Sequence, residues 1–314
     1  MSPEVPRKPA SALPHSGARS FLRPKPLGQG SVVRVVAPSG PFEVESFLRG
    51  IALLEARYTV EWDRALLGRS EGFLAGSDRV RQEELQAALN APEVDAIWMA
   101  RGGYGLSRIA PELELENWAS RPRWLVGFSD ATVLHLRLNQ HGICSLHASN
   151  VTGLAALPQE DLQQTFALLE GAEPASAVLT PLNPPAHDFS GPELPPLLGG
   201  NLTVLFAEAA AHAASLASGC TLLLEDVSET SYRVDRMLTA LGRAGLFDEL
   251  GAVVLGDFWE CSPGRFHVPT LDVLKERLAP LPLPVFADLP AGHGPRNRPL
   301  LLGRSLPILK GPVS

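Results

Sequence analysis

The sequence predicts a mixed α/β protein of two domains, the first of them built on a parallel sheet flanked by helices. Short apolar runs rich in β-branched residues alternate with segments of helical apolar spacing, and this alternation is typical of parallel sheets. A stretch rich in Pro, Ala and Ser, residues 171–196, interrupts the alternation and indicates a domain boundary. The chain has 314 residues, 45% of them hydrophobic, which is enough for two domains with cores of their own.

The first half of the chain contains four strand candidates and three helix candidates. The β-branched run Val32–Ala37 opens the series and stops at Pro38-Ser39-Gly40-Pro41, as a buried strand stops at a sharp loop. Asp78 can cap the second helix, because short acidic side chains accept hydrogen bonds from the free amides of a first turn. The other strand candidates are Tyr58–Trp62, Val94–Ala100 and Arg123–Phe128, and the helix candidates are Glu43–Arg57, Asp78–Leu89 and Ala131–Gln140.

The second half resumes the alternation after the Pro-rich stretch. We expect strands at Thr221–Leu224, Ala252–Leu255 and Val285–Asp288, strand pieces within Leu300–Leu309, and helices from Asn201, over Tyr232–Ala244 and over Leu271–Leu278. The chain therefore divides into a disordered extension (1–28), an N-terminal domain (29–170), a linker (171–196) and a smaller C-terminal α/β domain (197–314).

The charge and the cysteines of the chain exclude several classes of protein. The net charge of −7 argues against nucleic acid as a partner, because phosphate binding needs clustered Lys and Arg. No apolar stretch reaches the roughly 20 residues that a membrane span requires. The three cysteines are far apart, and no His, Asp or Glu group has metal-ligand spacing, so we expect neither disulfides nor a metal site. The basic N-terminus precedes no hydrophobic run, and we expect a cytoplasmic protein.

Ser129 follows a predicted strand and precedes a predicted helix, in the segment Gly127-Phe128-Ser129-Asp130-Ala131. This placement resembles a nucleophile elbow, in which a tight turn exposes a serine hydroxyl close to backbone N–H groups. The pattern is incomplete, because Ala131 stands where G-x-S-x-G has its second glycine. The alternative is that Asp130 caps the helix and Ser129 is an ordinary loop residue.

A glycine-rich segment, Arg101-Gly102-Gly103-Tyr104-Gly105, follows another predicted strand. Consecutive glycines let backbone amides converge on an anion, either a phosphate or the oxyanion of an acyl-transfer intermediate. The segment lacks the G-x-G-x-x-G spacing, and the chain has no P-loop, so a dinucleotide or P-loop site is disfavoured. A plain turn with Tyr104 packed on the core is the alternative.

Two further segments place ionisable side chains after predicted strands. Three acids follow the strand at 221–224, where open α/β sheets build their sites: Glu225, Asp226 and Glu229. One of them could orient a histidine, while solvated loop acids are the alternative. His293 lies between two glycines on a constrained loop, a suitable place for a general base. Ser129, Glu225 and His293 thus occur in the order nucleophile, acid and base.

These segments together resemble the LD-carboxypeptidase family of serine peptidases, which includes muramoyltetrapeptide carboxypeptidases and microcin-immunity peptidases. The matching segments occur in the family's order and cover nearly everything between about residues 30 and 305. They are Val36–Pro41, Phe73–Asp78, Arg101–Gly105, Gly127–Asp130, Gly199–Leu202, Leu224–Val227 and Gly292-His293. The N-terminal extension and the Pro-rich linker are the departures from the family's pattern.

The resemblance implies two domains with the active site in the cleft between them. By the same resemblance, Ser129 is the nucleophile, Glu225 is the acid that orients the histidine, and His293 is the base. The backbone N–H groups of Asp130 and Gly103 form the oxyanion hole. Further candidates for contact with substrate are Arg101, which suits a free carboxylate, Gly102 and Tyr104.

The implied reaction removes the terminal D-alanine from a murein tetrapeptide during cytoplasmic cell-wall recycling. It needs no cofactor, and the family analogy predicts a homodimer. Two other functions stay open. One is a peptidase or amidase of the same fold that acts on a microcin-like peptidyl-nucleotide, which an aromatic side chain near the site, such as Trp259, would favour. The other is a non-catalytic ligand-binding module that keeps the cleft.

Overall fold

The computed structural model describes residues 21–212 and 219–311, and its first sheet has six strands. Numbered along the chain, they are β1 (Val32–Val36), β2 (Thr59–Glu61), β3 (Ala96–Met99), β4 (Trp124–Gly127), β5 (Ser145–His147) and β11 (Leu300–Leu302). Their order across the sheet is β11-β5-β4-β3-β1-β2. All neighbours are parallel except β11, which runs antiparallel to β5.

Helices cover both faces of this sheet. They are α1 (Val44–Glu55), α2 (Asp78–Asn90), α3 (Leu106–Ile109), α4 (Glu116–Ser120), α5 (Thr132–Gln140) and α6 (Gln159–Leu169). Successive residues of β3 point to opposite faces, so Trp98 packs with α1 and α6 while Ile97 packs with α2 to α5. Ser77, rather than the predicted Asp78, caps α2, since its hydroxyl accepts from the Val80 N–H.

The second sheet closes into a barrel of six strands. They are β6 (Ala177–Pro181), β7 (Glu193–Asn201), β8 (Thr221–Val227), β9 (Ala252–Trp259), β10 (Val285–Ala287) and β12 (Ser305–Lys310), in the order β10-β6-β12-β7-β8-β9. The associated helices are α7 (Pro184–Asp188), α8 (Leu202–His212), α9 (Ser231–Arg243) and α10 (Thr270–Leu278). One apolar cluster fills the barrel, and a second packs β8 and β9 against helices α8 to α10.

The predicted two-domain α/β fold is confirmed, but three segments differ from the expected boundaries. The expected linker 171–196 contains β6, α7 and the beginning of β7: Pro181, Pro195 and Pro196 lie in barrel strands, and Pro184 and Pro185 begin α7. Residues 21–28 of the expected disordered extension are ordered, with Phe21 and Leu27 buried against the first sheet; residues 1–20 lie outside the described residues. The C-terminal segment 197–314 also supplies β11 to the first sheet.

The chain between β10 and β11 crosses from the barrel to the first sheet. His293 lies on this crossing loop. Arg296, on the same loop, donates from Nε to Asp161 of α6 at 3.1 Å, and the Asp161 side chain is fully buried. The crossing therefore anchors His293 to both units of the fold. Across the described ranges, no helix is long and apolar enough to cross a membrane.

Candidate active site

Ser129 lies in a strained turn directly after the carboxyl end of β4. Its φ of +64° is in the left-handed region, which non-glycine residues occupy only where their surroundings hold them. Gly127 allows the turn to fit, because a Cβ built on it would lie 2.7 Å from Met99 Cγ and 3.0 Å from Asn150 Oδ1. Asn150 Oδ1 also accepts a hydrogen bond from the Phe128 N–H at 3.2 Å. The turn has the geometry of a nucleophile elbow, with Ser129 partly exposed.

The glycine-rich segment 101–105 packs against this turn. Gly102 is buried, and a Cβ built on it would lie 3.0 Å from Ser129 Oγ, so a side chain at this position would press on the hydroxyl. The Gly40 N–H donates to the Gly102 carbonyl at 3.0 Å and holds the segment in place. Gly103 has a φ of +105°, and its N–H has no hydrogen-bond acceptor among the described residues. An unpaired amide here is available to an oxyanion.

The Asp130 side chain joins the serine turn to the glycine-rich segment. Its Oδ2 accepts a hydrogen bond from the Leu106 N–H at 2.9 Å, where α3 begins, and it does not cap α5. Burial raises the pKa of the Asp130 carboxyl, against the opposing hydrogen bonds of Ser39 and the Leu106 amide. Because the side chain is engaged in this way, any contribution of Asp130 to an oxyanion hole falls to its backbone N–H.

Glu225 and His293 form a hydrogen-bonded pair at the end of β8. The distance from His293 Nδ1 to Glu225 Oε2 is 2.7 Å, and the Glu225 side chain is fully buried. Burial lowers the pKa of His293, but the hydrogen bond and charge of Glu225, helped by the charges of Asp226 and Asp257, outweigh it and leave the pKa raised. The carboxylate bond on Nδ1 leaves Nε2 as the nitrogen that can exchange a proton.

The two other predicted acids are engaged elsewhere. Asp226 Oδ2 accepts from the Thr203 N–H at 3.0 Å, and its Oδ1 accepts from Asn201 Nδ2 at 3.1 Å. The Glu229 carboxylate lies 3.5 Å from Arg233 on α9. Of the three acids that the sequence left as alternatives, Glu225 is the one whose carboxylate contacts the imidazole of His293.

Two glycines make room for the buried carboxylate of Glu225. Gly292 has a φ of +125°, and a Cβ built on it would lie 2.7 Å from Glu225 Oε2. A Cβ on Gly256 would lie 3.1 Å from Glu225 Cβ. The flanking glycine that the sequence pattern singled out before His293 is therefore required by the close approach of its own acid partner.

The serine turn and the histidine loop meet where the two units of the fold are in contact. The ring centroids of Phe128 and His293 are 4.7 Å apart, so the residue before Ser129 packs directly on the imidazole. Thr132 Oγ1 accepts from the Asn201 N–H at 3.1 Å and closes the same junction. The described residues show no hydrogen bond between Ser129 Oγ and His293; such bonds are often longer in ligand-free enzymes than in their complexes.

The remaining candidate contacts are Arg101, Tyr104 and Trp259, whose side chains are all exposed. Arg101 is exposed, donates from Nη1 to the Pro41 carbonyl at 2.8 Å, and has no carboxylate partner among the described residues. Tyr104 is 47% exposed rather than packed on the core, and its ring centroid lies 5.9 Å from that of Phe73. Trp259 ends β9 and is 41% exposed.

Asn150 and Arg81 shape the site and were not singled out in the sequence. Arg81 is fully buried and donates to the carbonyls of Pro38, Gly76 and Gly105, so it joins three of the loops around the glycine-rich segment. A signal for Arg81 existed, because it falls on the apolar face of α2 together with Leu85 and Leu89. Asn150 had no comparable signal.

No group of three or more His, Cys, Asp or Glu side chains within residues 21–212 and 219–311 is arranged to hold a metal ion. The ionisable groups at the junction are instead paired with one another or with backbone groups, as described for Glu225, Asp226 and Asp130.

Two family models match the chain. The N-terminal domain model of the LD-carboxypeptidases matches residues 33–148, and their C-terminal domain model matches residues 195–308. Together with the two-domain fold, these matches define a hydrolase of the serine carboxypeptidase type. The chain belongs to the LD-carboxypeptidase family.

Individual relatives agree with this assignment. The murein tetrapeptide carboxypeptidase of Pseudomonas aeruginosa is 33% identical over 247 residues, which are 76% of this chain and 80% of that protein. The microcin C7 self-immunity protein of Escherichia coli is 22% identical over 317 residues, 90% of this chain and 92% of that one. The crystal structure of a muramoyltetrapeptide carboxypeptidase from Oxalobacter formigenes superposes with a TM-score of 0.72 at 26% identity, covering 88% of this chain and 94% of that chain.

Proposed function

We propose that the protein is a serine carboxypeptidase that cleaves an L,D-peptide bond and releases the terminal D-alanine of a murein tetrapeptide. The observation that carries the proposal is the bond between buried Glu225 and His293, formed beside a serine held in a strained turn. The relatives named for murein peptides supply the substrate class. We place the reaction in cytoplasmic wall recycling, and the homodimer expected from the family analogy stays a prediction.

The first half of the reaction transfers the acyl group to the enzyme. His293 Nε2 takes the proton of the Ser129 hydroxyl as Oγ attacks the carbonyl carbon of the residue before D-alanine. The tetrahedral oxyanion accepts hydrogen bonds from the N–H groups of Gly103 and Asp130. His293 then gives its proton to the D-alanine nitrogen, the C–N bond breaks, and an ester on Ser129 remains.

The second half is hydrolysis of that ester. Water loses a proton to His293 Nε2 as its oxygen attacks the ester carbonyl, and the same two amides hold the second oxyanion. Collapse of this intermediate expels Ser129 Oγ, which recovers its proton from His293. Throughout, the negative charge of Glu225 stabilises the imidazolium that forms twice in each cycle, in keeping with the raised pKa of His293.

Arg101 suits the free carboxylate at the end of such a substrate. Its guanidinium is exposed beside the glycine-rich segment and is held at one end by the Pro41 carbonyl, so its remaining N–H donors are available. A carboxypeptidase needs a contact of this kind, because it must distinguish the last residue of a peptide from an internal one.

The decisive experiment follows D-alanine released from purified murein tetrapeptide by the wild type and by Ser129→Ala. Release by the wild type and a loss of about a thousandfold or more in the variant is expected for removal of a nucleophile. Circular dichroism establishes that both proteins are folded. Equal rates in the two proteins would exclude Ser129 as the nucleophile.

A second candidate function is hydrolysis of a microcin-like peptidyl-nucleotide by the same residues. The exposed Trp259 at the end of β9 and the similarity to the microcin C7 self-immunity protein favour it. Incubation of the wild type and Ser129→Ala with an aminoacyl sulfamoyl adenosine separates the two functions. Ser129-dependent cleavage of that compound, together with no release of D-alanine from murein tetrapeptide, would select this second function. Cleavage of neither compound would favour a ligand-binding module.

A further inference from the structure

Two fully buried histidines, His135 on α5 and His147 on β5, lie beneath the serine turn. The His135 ring is bonded at both nitrogens, to Ser145 Oγ at 2.8 Å and to the Gly127 carbonyl at 2.9 Å. Among the described residues, no group of another residue bonds either ring nitrogen of His147, whose polar contact is with its own backbone. The contacts that the His147 ring makes with the site are therefore packing contacts.

The His147 ring takes part in a row of three rings that ends at the base. Its centroid lies 5.8 Å from that of Phe128, with the planes at 68° in an edge-to-face arrangement. The Phe128 ring also contacts the His293 ring, with the two centroids 4.7 Å apart. Phe128, directly before Ser129 in the chain, thus contacts both the buried ring of His147 and the ring of His293.

Removing the His147 ring would open a cavity under Phe128. Side chains around a cavity relax into it only in part, and Phe128 is the neighbour with room to move, because it is partly exposed. A displaced Phe128 would no longer press on His293, and the imidazole could then swing about its bond to Glu225. This movement would change the distance from His293 Nε2 to Ser129 Oγ, across which the proton is transferred.

Both buried histidines are uncharged at neutral pH. Burial lowers the pKa of His147 to about 3 and that of His135 to about 4. The groups that face His147 are His135 and His293, while Glu225, Asp226 and Asp257 face His293. Because His147 is neutral, it adds no positive charge near His293. The charge of protonated His293 is then balanced only by the carboxylates of Glu225, Asp226 and Asp257.

We propose that His147 is a positioning residue, whose buried ring holds Phe128 against His293 and so keeps the base aligned with Ser129. This inference rests on the proposed serine mechanism. It assigns to His147 an effect on the rate of attack by Ser129 rather than on the binding of substrate.

The test uses the rate at which a fluorophosphonate probe labels Ser129, which requires no knowledge of the substrate. His147→Ala should label about tenfold to a hundredfold more slowly than the wild type, the scale of a misplaced catalytic group. His147→Phe, which restores an aromatic ring without ring nitrogens, should recover most of the rate. His141→Ala is the matched control, because His141 is exposed at the end of α5, and it should label at the wild-type rate.

A double-mutant cycle with Phe128→Leu shows whether the two residues act together. If His147 acts through Phe128, the double variant should label no more slowly than the slower single variant. Independent effects that multiply would overturn the proposal, as would labelling of His147→Ala at the wild-type rate or failure of His147→Phe to recover. Circular dichroism at the assay temperature confirms that each variant is folded.

The outcomes separate this inference from the proposed function. A wild type that the probe does not label, and that releases no D-alanine, would remove the serine mechanism and the inference with it. A wild type that is labelled at Ser129 while His147→Ala is labelled equally fast would remove the inference and leave the serine mechanism in place.

Discussion

Gly102 and Ser129 are in direct contact across the two turns that follow β3 and β4. A Cβ built on Gly102 would lie 2.9 Å from Ser129 Cβ and 3.0 Å from its Oγ. The strained serine turn thus packs on the glycine-rich segment 101–105 at Gly102, which has no side chain. The same segment carries the Gly103 N–H that we assign to the oxyanion hole, so one contact fixes the position of the nucleophile relative to an amide that would bind the oxyanion.

Gly102→Ala should therefore lower kcat on murein tetrapeptide about a hundredfold, since the new methyl group displaces Ser129 from its place beside the Gly103 amide. The matched control is Gly28→Ala, because a Cβ at Gly28 meets nothing within 4 Å. D-alanine release by both variants provides the measurement. Full activity of Gly102→Ala would mean that the two turns separate freely and that their contact does not align the site.

Ser129→Gly should be about 1 kcal/mol more stable than Ser129→Ala, although both lack the hydroxyl. The φ of +64° strains alanine but not glycine. At Ser46 of α1, where the backbone is helical, the same pair of substitutions should have the opposite order of stability, since glycine is the poorer helix former. Urea unfolding of the four variants gives their free energies of unfolding. If alanine were the more stable substitution at both positions, the turn at Ser129 would not be strained.

Glu225→Gln should lower the maximum rate by up to about 10⁴-fold, the scale seen when the acid of a triad loses its charge. The loss of that charge also lowers the pKa of His293, which the carboxylate holds raised. Because the base must be neutral to accept a proton, the acidic limb of the kcat/KM profile should move to lower pH.

The control for this profile is Glu229→Gln, whose carboxylate lies beside Arg233 rather than His293. Its acidic limb should stay where the wild type has it. If the acidic limb moved with Glu229→Gln and not with Glu225→Gln, Glu229 rather than Glu225 would be the acid that acts on His293.

Arg81→Ala should destabilise the protein by about 3 kcal/mol, because it leaves the buried carbonyls of Pro38 and Gly105 without their donor. Arg79→Ala on the same helix is the matched control. Its ion pair with Glu83 is exposed, and its loss should cost no more than about 0.5 kcal/mol. Denaturant unfolding of the two variants measures both changes, and similar losses would show that the buried bonds of Arg81 add nothing.

Arg101→Gln should raise KM about tenfold or more for a tetrapeptide with a free carboxylate, the cost of one charge-assisted contact. It should change the KM of the same peptide amidated at its C-terminus much less. Arg49→Gln, exposed on α1, is the control for loss of a surface charge. An equal rise for both peptides would place the carboxylate contact elsewhere.

Much of the first sheet could be predicted because its strands are locally distinctive. The runs that became β3 and β4 are buried and apolar, the run that became β1 is apolar except at Arg34, and Ser129 follows β4. By contrast β5 is Ser145–His147, three residues of which two are polar, and no periodicity marks it. Asn150 follows β5, so its contact with the serine turn depends on the pairing of β5 with β4 and could not be inferred locally.

The barrel was missed for a similar reason. β7 contains Pro195 and Pro196, which disfavour a strand when the sequence is considered locally. Its place depends on pairing with β12, far along the chain, in an antiparallel ladder that shifts register at Ser305 and Leu306. Glu225 and His293 could still be predicted, because Glu225 directly follows the apolar run Leu222–Leu224 within β8 and His293 lies on the loop after the apolar strand β10.

Strand β11 lies near the end of the chain and pairs with β5 of the first sheet, Leu301 opposite Leu146. The edge of that sheet at β5 therefore stays open until the chain has been made as far as residue 302. Cutting the gene between the two matched regions, 33–148 and 195–308, would leave the first product with a bare strand edge and the second with an unpaired segment. Neither product would contain a complete unit, so the first sheet depends on the second half of the molecule for its last strand.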